Sequence, residues 1–323
     1  MRISTLLSPF AAVILAFSPA AAAPPTVVAT INPLHSLAAS VMEGVGTPTL
    51  LLKGGASPHA YSLRPSEART LSRAKVIFWV GPTVEAFLEK PLRTLGGNAR
   101  IVAMETAPGV IRLPIREGGV WDAHDHDHDH DKHDHHHDKN KPGAKTHDDD
   151  DEVDGHIWLD PRNAMAMVSA MTTALAEADP ANAARYRANA AATRARLTAL
   201  EARIRARLAS VARHRYIVFH DAYQYFERRY GLSPAGSIAV SPERAPGPRR
   251  LYEIRKRILD GKVACVFAEP QFPPRLVRTV IAGTPARMGV LDPIGARLTP
   301  GKNAYARLQT NLADSLIACL GRR

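Results

Sequence analysis

The stretch Tyr216-Ile217-Val218-Phe219-His220-Asp221-Ala222-Tyr223 decides the fold of this chain. Its first four residues form a short, continuous apolar run, which is typical of a strand buried on both faces of a parallel sheet. Polar residues follow at once, where such a strand ends. Seven further runs of this kind occur, at 27–31, 49–52, 76–80, 101–104, 236–240, 263–267 and 288–291.

Helical segments separate many of these runs, and the alternation predicts βα units with mostly parallel sheets. Between the two halves of the chain lies a long stretch rich in Ala and Arg. Asp179 can cap a helix there, and Pro180 suits its first turn. No Gly or Pro interrupts from there to about Ala212, so we expect a helix about 48 Å long. Two shorter helices with a break near Thr198 are the alternative.

The first 22 residues have the pattern of a secretory signal peptide. Arg2 gives a positive start, an apolar stretch follows over 6–17, and small residues occupy 18–23. The apolar run is too short to span a bilayer comfortably. We therefore expect export with cleavage near Ala22, and a retained membrane anchor is the alternative.

Residues 121–151 differ in kind from the rest of the chain, because they hold nine His, eleven Asp and almost nothing apolar. Such a segment buries too little surface to offset its ordering entropy, so we expect a disordered His/Asp-rich loop. Its many exchangeable ligands suggest low-affinity zinc collection, which should weaken below about pH 6. A solvated tract without a fixed role is the alternative.

The net charge of +11 is unevenly placed. Residues 121–152 carry eleven Asp, one Glu and four Lys, a net of −8, which leaves +19 on the remainder. The arginines of that remainder are scattered and mostly helical, without interleaved aromatic residues. This pattern indicates a solvated helix surface, and we expect no nucleic-acid binding.

Cys265 and Cys319 are the only cysteines in the sequence. In an exported chain an even pair suggests a disulfide, which would stabilise the fold by a few kcal/mol. Two buried free thiols are the alternative.

Three of the five histidines outside the insert, together with one aspartate, stand in contexts that suggest a ligand site. They are His59, His156, His220 and Asp292. Three of the four follow strand-like runs, and ligands of open α/β sheets collect beyond the carboxyl ends of the strands. Three His with a carboxylate or a water suit a tetrahedral Zn²⁺ site.

Five stretches of the chain carry a family resemblance. They are SPHAYSLRPS at 57–66, HIWLDP at 156–161, FHDAYQYF at 219–226, FAEPQF at 267–272 and LDPIG at 291–295. In this order they resemble the ABC-transporter substrate-binding proteins for zinc and manganese, and most of all the zinc-uptake members of the ZnuA type. The resemblance spans nearly the whole mature chain.

This resemblance implies an α/β fold of two lobes, each with a mostly parallel sheet flanked by helices, joined by a long rigid helix. We accordingly expect a signal peptide at 1–22, an N-terminal lobe at 23–178 that includes the insert, a linker helix at 179–212 and a C-terminal lobe at 213–323. The resemblance also implies a disulfide between Cys265 and Cys319.

The resemblance further implies metal ligands at His59, His156 and His220, with Asp292 lining the site. Manganese members usually have Glu in place of His220, and a third imidazole favours Zn²⁺. Some zinc members have Glu directly before the first ligand, where this chain has Pro58. The fourth position is therefore left to Asp292 or water.

The implied function is high-affinity binding of zinc in the periplasm and its delivery, as transported ligand, to the membrane permease of an ABC importer. We expect a monomer without enzymatic activity. Alternatives are a periplasmic zinc buffer or chaperone without a dedicated permease, and a manganese-binding homologue. A zinc hydrolase would need a positioned base. Asp221 and Glu269 are the nearby candidates, although Glu269 could instead support a ligand imidazole or lie at the rim of the cleft.

Overall fold

The computed structural model describes residues 24–97, 99–116, 121, 153–239 and 246–321. The predicted signal peptide and all of the predicted disordered loop except Trp121 lie outside these ranges. Within them, no helix combines the length and the apolar character that crossing a membrane requires.

Two four-stranded sheets form the framework, and every pairing between their strands is parallel. The first has the order β2-β1-β3-β4, and the second has the order β6-β5-β7-β8. The strands are β1 Val27–Ala29, β2 Thr49–Leu50, β3 Val76–Trp79, β4 Arg100–Ala103, β5 Arg215–His220, β6 Ser233–Ala239, β7 Cys265–Ala268 and β8 Arg287–Val290.

All eight predicted runs contain a strand, so the predicted α/β fold is confirmed. Only two residues of the run at 49–52 form a strand. Leu51 and Leu52 nevertheless donate backbone hydrogen bonds to Ala29 and Thr30, at the end of β1. For β1, β3, β5 and β7 the pattern succeeds because strands covered on both faces select apolar side chains at nearly every position.

Ten helices accompany the sheets in the part of the chain that the structure describes. They are α1 Asn32–Val41, α2 Pro65–Ser72, α3 Pro82–Glu85, α4 Glu89–Leu95, α5 Pro161–Ala178, α6 Ala183–Leu208, α7 Gln224–Tyr230, α8 Pro248–Asp260, α9 Arg275–Ile281 and α10 Ala304–Leu320.

The long helix α6 runs through 26 residues without a break at Thr198. Its length is about 39 Å, shorter than predicted, because a separate 3₁₀ turn occupies Pro180–Asn182. Asp179 does not cap α6, since its carboxylate accepts hydrogen bonds from the Tyr186 hydroxyl and the Asn182 amide, each at 2.8 Å. The helix packs on α1 and α5 of the first half and on α7 and α10 of the second. The exact lobe boundaries remain a prediction.

The main hydrophobic core draws residues from both halves of the chain. Leu34 and Phe78 belong to it from the first half, and Phe226 and Tyr305 from the second. A smaller core cluster, which includes Ile254, is formed by residues of the second half alone. The predicted disulfide is present, and it joins the first residue of β7 to the last turn of α10.

Candidate metal centre

Three imidazole rings meet between the two sheets. Nε2 of His156 lies 3.2 Å from Nε2 of His59 and 3.3 Å from Nε2 of His220. One ring nitrogen from each residue falls within 4.8 Å of the others. Among the described residues this is the only group of three or more His, Cys, Asp or Glu side chains with the spacing to hold a metal ion.

The two sheets place these histidines by different routes. His220 is the last residue of β5, whereas His59 lies on a 3₁₀ turn, Pro58–Ala60, that follows β2. His156 directly precedes another 3₁₀ turn, Ile157–Leu159. His156 and His220 are buried, with 7% and 4% of their surface exposed, whereas His59 is half-buried. Two of the three candidate ligands are therefore buried and the third is half-buried.

His220 lies where connections leave the second sheet in opposite directions. The chain passes from β5 to β6 on one side and then returns to β7 on the other, so the carboxyl ends of β5 and β7 form a crevice. Glu269 follows β7 into this crevice, and its Oε1 lies 2.7 Å from Nδ1 of His220. Burial lowers the pKa of His220, but Glu269, together with the carboxylates of Asp221 and Asp154, offsets this and the net pKa is raised.

His156 has a carboxylate partner of its own. Asp154 Oδ1 lies 2.7 Å from Nδ1 of His156 and also accepts its backbone N–H at 3.0 Å. Burial, and then the neighbouring His220, lower the pKa of His156 to about 3. A pKa this low favours the neutral ring, and a neutral ring that donates its Nδ1 proton to Asp154 would turn its Nε2 lone pair toward the other rings.

A glycine allows the Asp154–His156 segment to approach α3 closely. A Cβ on Gly155 would lie 2.4 Å from the Val84 side chain and 2.5 Å from the Thr83 hydroxyl. Sequence reasoning did not single out Asp154. The sequence does contain a signal that could have identified it. A carboxylate stands two residues before a candidate ligand and a glycine lies between them, so that the carboxylate can fold back onto the ring.

The loop that leads to His59 contacts the second half of the molecule. Gly54 and Gly55 both have positive φ, +76° and +75°. A Cβ on Gly55 would lie only 2.7 Å from Cβ of Ala296, whereas one on Gly54 would meet nothing within 4 Å. Ser57 then accepts a hydrogen bond from the His59 backbone N–H at 3.3 Å. This contact is one of those that hold the backbone at His59.

Asp292 lies just beyond β8 and outside the three-histidine group. Its Oδ1 accepts hydrogen bonds from the backbone N–H of Gly295 at 2.9 Å and of Ile294 at 3.3 Å, and from the Gln271 side chain at 3.1 Å. The carboxylate thus holds the turn that follows the strand. Its assignment as a metal ligand stays a prediction.

Apolar side chains wall the small pocket around the histidines, among them Pro58, Trp158, Phe272 and Pro293. The Trp158 ring centroid lies 5.3 Å from that of His156, and its indole N–H donates to the Pro293 carbonyl at 2.7 Å. A pocket of this kind lowers the dielectric around a bound ion and so strengthens its interaction with the ligands.

The remaining histidines lie elsewhere. His35 is buried with Nε2 at 3.0 Å from the Pro48 carbonyl, and burial lowers its pKa. His214 is bonded to the Val211 carbonyl at 3.3 Å. The nine histidines of the insert fall outside the described residues.

Comparison with known proteins identifies the family of the chain. The family described as "ZnuA: Zinc-uptake complex component A periplasmic" matches residues 27–319. The high-affinity zinc uptake system protein ZnuA of Brucella suis is 48% identical over 306 residues, covering 92% of each chain. The Yersinia pestis protein of the same description is 38% identical over 314 residues, covering 96% of each.

Solved structures show the same fold. The periplasmic zinc-binding protein TroA from Treponema pallidum matches with a TM-score of 0.75 at 23% identity, covering 93% of this chain and 100% of that one. A ZnuA deletion mutant with zinc bound matches with a TM-score of 0.73 at 22% identity, covering 93% and 99%. From the match over residues 27–319 and the 48% identity to a curated relative, the chain belongs to the ZnuA family of periplasmic zinc-uptake components.

Proposed function

We propose that this chain captures Zn²⁺ in the periplasm with His59, His156 and His220 and delivers it to the membrane permease of an ABC importer. The observation that carries the proposal is the convergence of three ring nitrogens, with Nε2 separations of 3.2 and 3.3 Å about His156. Family membership supports the transport role. We further propose that the carrier acts as a monomer and does not bind nucleic acid.

The donor set suits zinc. Neutral imidazole nitrogen is a good ligand for Zn²⁺, whereas Mn²⁺ prefers more oxygen. His220 supplies the third nitrogen, and Glu269 behind it raises its basicity as a ligand. A fourth position is left for Asp292 or a water molecule, which completes a tetrahedron.

The arrangement supports capture and not catalysis. The two carboxylates that a hydrolase would need as a base are both engaged. Asp221 is held by the Arg116 guanidinium, with Nε to Oδ2 at 2.9 Å, and Glu269 is held by His220 at 2.7 Å. Each carboxylate therefore has an oxygen that holds a neighbouring side chain.

Zinc competition titration against a chelator, with Mn²⁺ as competing metal, tests the site. Substitution His220→Ala should weaken zinc binding at least a hundredfold while the far-ultraviolet circular dichroism is unchanged. His214→Ala is the matched control, because it removes a histidine that lies outside the three-ring group. Unchanged zinc affinity in His220→Ala would overturn the assignment.

Delivery needs a separate test, because a zinc buffer would use the same site. The full chain should restore growth on chelated medium to a bacterium that lacks its own periplasmic zinc carrier but keeps the permease. His220→Ala should fail to do so. Retained zinc binding without restored growth would favour the buffer.

A further inference from the structure

Arg116 reaches from the first half of the chain into the second, just before the His/Asp-rich insert. Its Nε donates to Asp221 Oδ2 at 2.9 Å, a second nitrogen pairs with Asp221 Oδ1, and a third donates to Glu227 Oε2 at 2.8 Å. The Arg116 side chain is only 17% exposed and that of Glu227 only 3%. The guanidinium therefore makes a buried, forked ion pair between the halves.

The two ends of the insert are joined at the same place. Pro114 and Val153 form an antiparallel bridge, and the Asp154 N–H donates to the Leu113 carbonyl at 2.9 Å. The Tyr225 hydroxyl donates to the Asp154 carbonyl at 2.7 Å and accepts from the Leu113 N–H at 2.9 Å. Both ends are thus docked on α7.

An aromatic ring covers the outer side of the ion pair. The guanidinium carbon of Arg116 lies 3.5 Å from the ring centroid of Trp121. A stacked indole shields the guanidinium from water and adds cation–π attraction. The pairing is accordingly held in one geometry, unlike an exposed salt bridge.

Asp221 of the ion pair and the nearby Asp154 each adjoin one histidine of the three-histidine group. Asp221 follows His220 directly, and Asp154, whose backbone hydrogen-bonds to Leu113 and Tyr225, contacts Nδ1 of His156. We propose that Arg116 is a positioning residue that fixes the separation of His156 and His220, and that it thereby sets the zinc affinity. The proposal rests on the three-histidine site proposed above.

The chemistry explains why arginine is needed. Its planar fork matches both oxygens of Asp221 while a further N–H reaches Glu227, which a lysine ammonium on a flexible stem cannot reproduce. Loss of the fork leaves two neighbouring carboxylates without their shared cation. The backbone at 220–221 then becomes free to shift relative to residues 154–156.

The test compares Arg116→Gln and Arg116→Lys with Arg207→Gln. Arg207 pairs with Asp314 between α6 and α10 and contacts none of the histidines described above. We expect Arg116→Gln to raise the zinc dissociation constant about 10- to 100-fold, the usual effect of removing an outer partner of a metal site. The zinc dissociation constant of Arg116→Lys should lie between those of Arg116→Gln and the parent protein. That of Arg207→Gln should equal the parent's.

The absorption spectrum of the Co²⁺-loaded protein supplies a readout that stability alone does not move. It reports the geometry of the ligands, so it should change in Arg116→Gln and stay constant in Arg207→Gln. If Arg116→Gln does not fold, Asp221→Asn removes the same forked pair with little change of volume and should give the same weakening and spectral change.

Two outcomes are distinguishable. A lowered melting temperature with parental zinc affinity and an unchanged Co²⁺ spectrum would show that Arg116 is only structural, and would overturn this proposal while leaving the three-histidine site intact. Undiminished zinc affinity in His220→Ala would overturn the site itself, whatever Arg116 does.

Discussion

Glu269 Oε1 lies 2.7 Å from Nδ1 of His220, although the two residues are 49 positions apart in the sequence. They meet because β5 and β7 are adjacent in the sheet and end at the same edge. The sequence left two interpretations of Glu269 open: a partner of a ligand imidazole, or a residue at the rim of the cleft. The structure places it, 2% exposed, as the partner of His220.

Substitution Glu269→Gln should weaken zinc binding about tenfold. The amide oxygen can still accept the Nδ1 proton, but it lacks the negative charge that makes the imidazole a stronger donor to the metal. Zinc competition titration measures the effect, and Glu253→Gln on the exposed face of α8 is the control. Equal affinities in the two variants would contradict this role of the carboxylate.

Gly55→Ala should weaken zinc binding, whereas Gly54→Ala should not. Both positions have positive φ, so both variants pay the same backbone strain of about 1 kcal/mol. Only the Gly55 variant also places a Cβ against Ala296, which must displace the loop before His59. Restoration of affinity in the double variant Gly55→Ala, Ala296→Gly would identify the contact as the cause, and equal affinities in the two single variants would exclude it.

Zinc should change the fluorescence of Trp158, since its ring lies 5.3 Å from that of His156 in a pocket that metal binding desolvates further. A protein carrying Trp79→Phe and Trp121→Phe retains this indole as its only one. Its emission should shift in a saturable way with added zinc. The same titration of a His156→Ala derivative should give a flat response, and a shift there would show that the indole does not report on the site.

Glu85 should make the fold less stable as pH rises. Burial raises the pKa of this carboxyl from 4.5 to about 7, and Glu105 nearby adds to the effect. Between those values the folded protein binds more protons than the unfolded chain, so the free energy of unfolding falls with rising pH, by about 3 kcal/mol in total. The destabilisation is absent below about pH 4.5 and complete above about pH 7.

Urea unfolding of metal-free Glu85→Gln at pH 5 and pH 8 checks this expectation. The variant should gain stability relative to the parent at pH 8 and little at pH 5, because it cannot ionise. Glu177→Gln, which alters an exposed pair with Arg100, should show no such pH dependence. A constant difference between Glu85→Gln and the parent across the range would contradict the raised pKa.

Much of the fold follows from local pattern. Strand β3 is covered on both faces and apolar throughout, and β5 is apolar between its terminal Arg215 and His220, so both are recognisable without a structure. The start of α6 was less legible. Asp179 has the chemistry of a cap, but Tyr186 and Asn182 compete for its carboxylate and the helix begins later.

The grouping of the three histidines was predictable, whereas the residues around them were not. His220 ends a strand, and all three histidines stand in family motifs, which are local features. The partners of those histidines depend on contacts between distant residues, such as Arg116 with Asp221 across 105 positions. Asp292 carries a family motif, yet its oxygen is taken up by the following turn, which only the three-dimensional arrangement reveals.

The strands of the two sheets follow the same order, so the same sheet topology occurs twice along the chain. In the second copy the leading strand β5 ends on His220. In the first copy the leading strand β1 is followed by Thr30, which is buried close to Glu85 and takes no part in the three-ring group. Equivalent strand ends of the two sheets therefore differ in chemistry, because only the second sheet offers a ring nitrogen at the end of its leading strand.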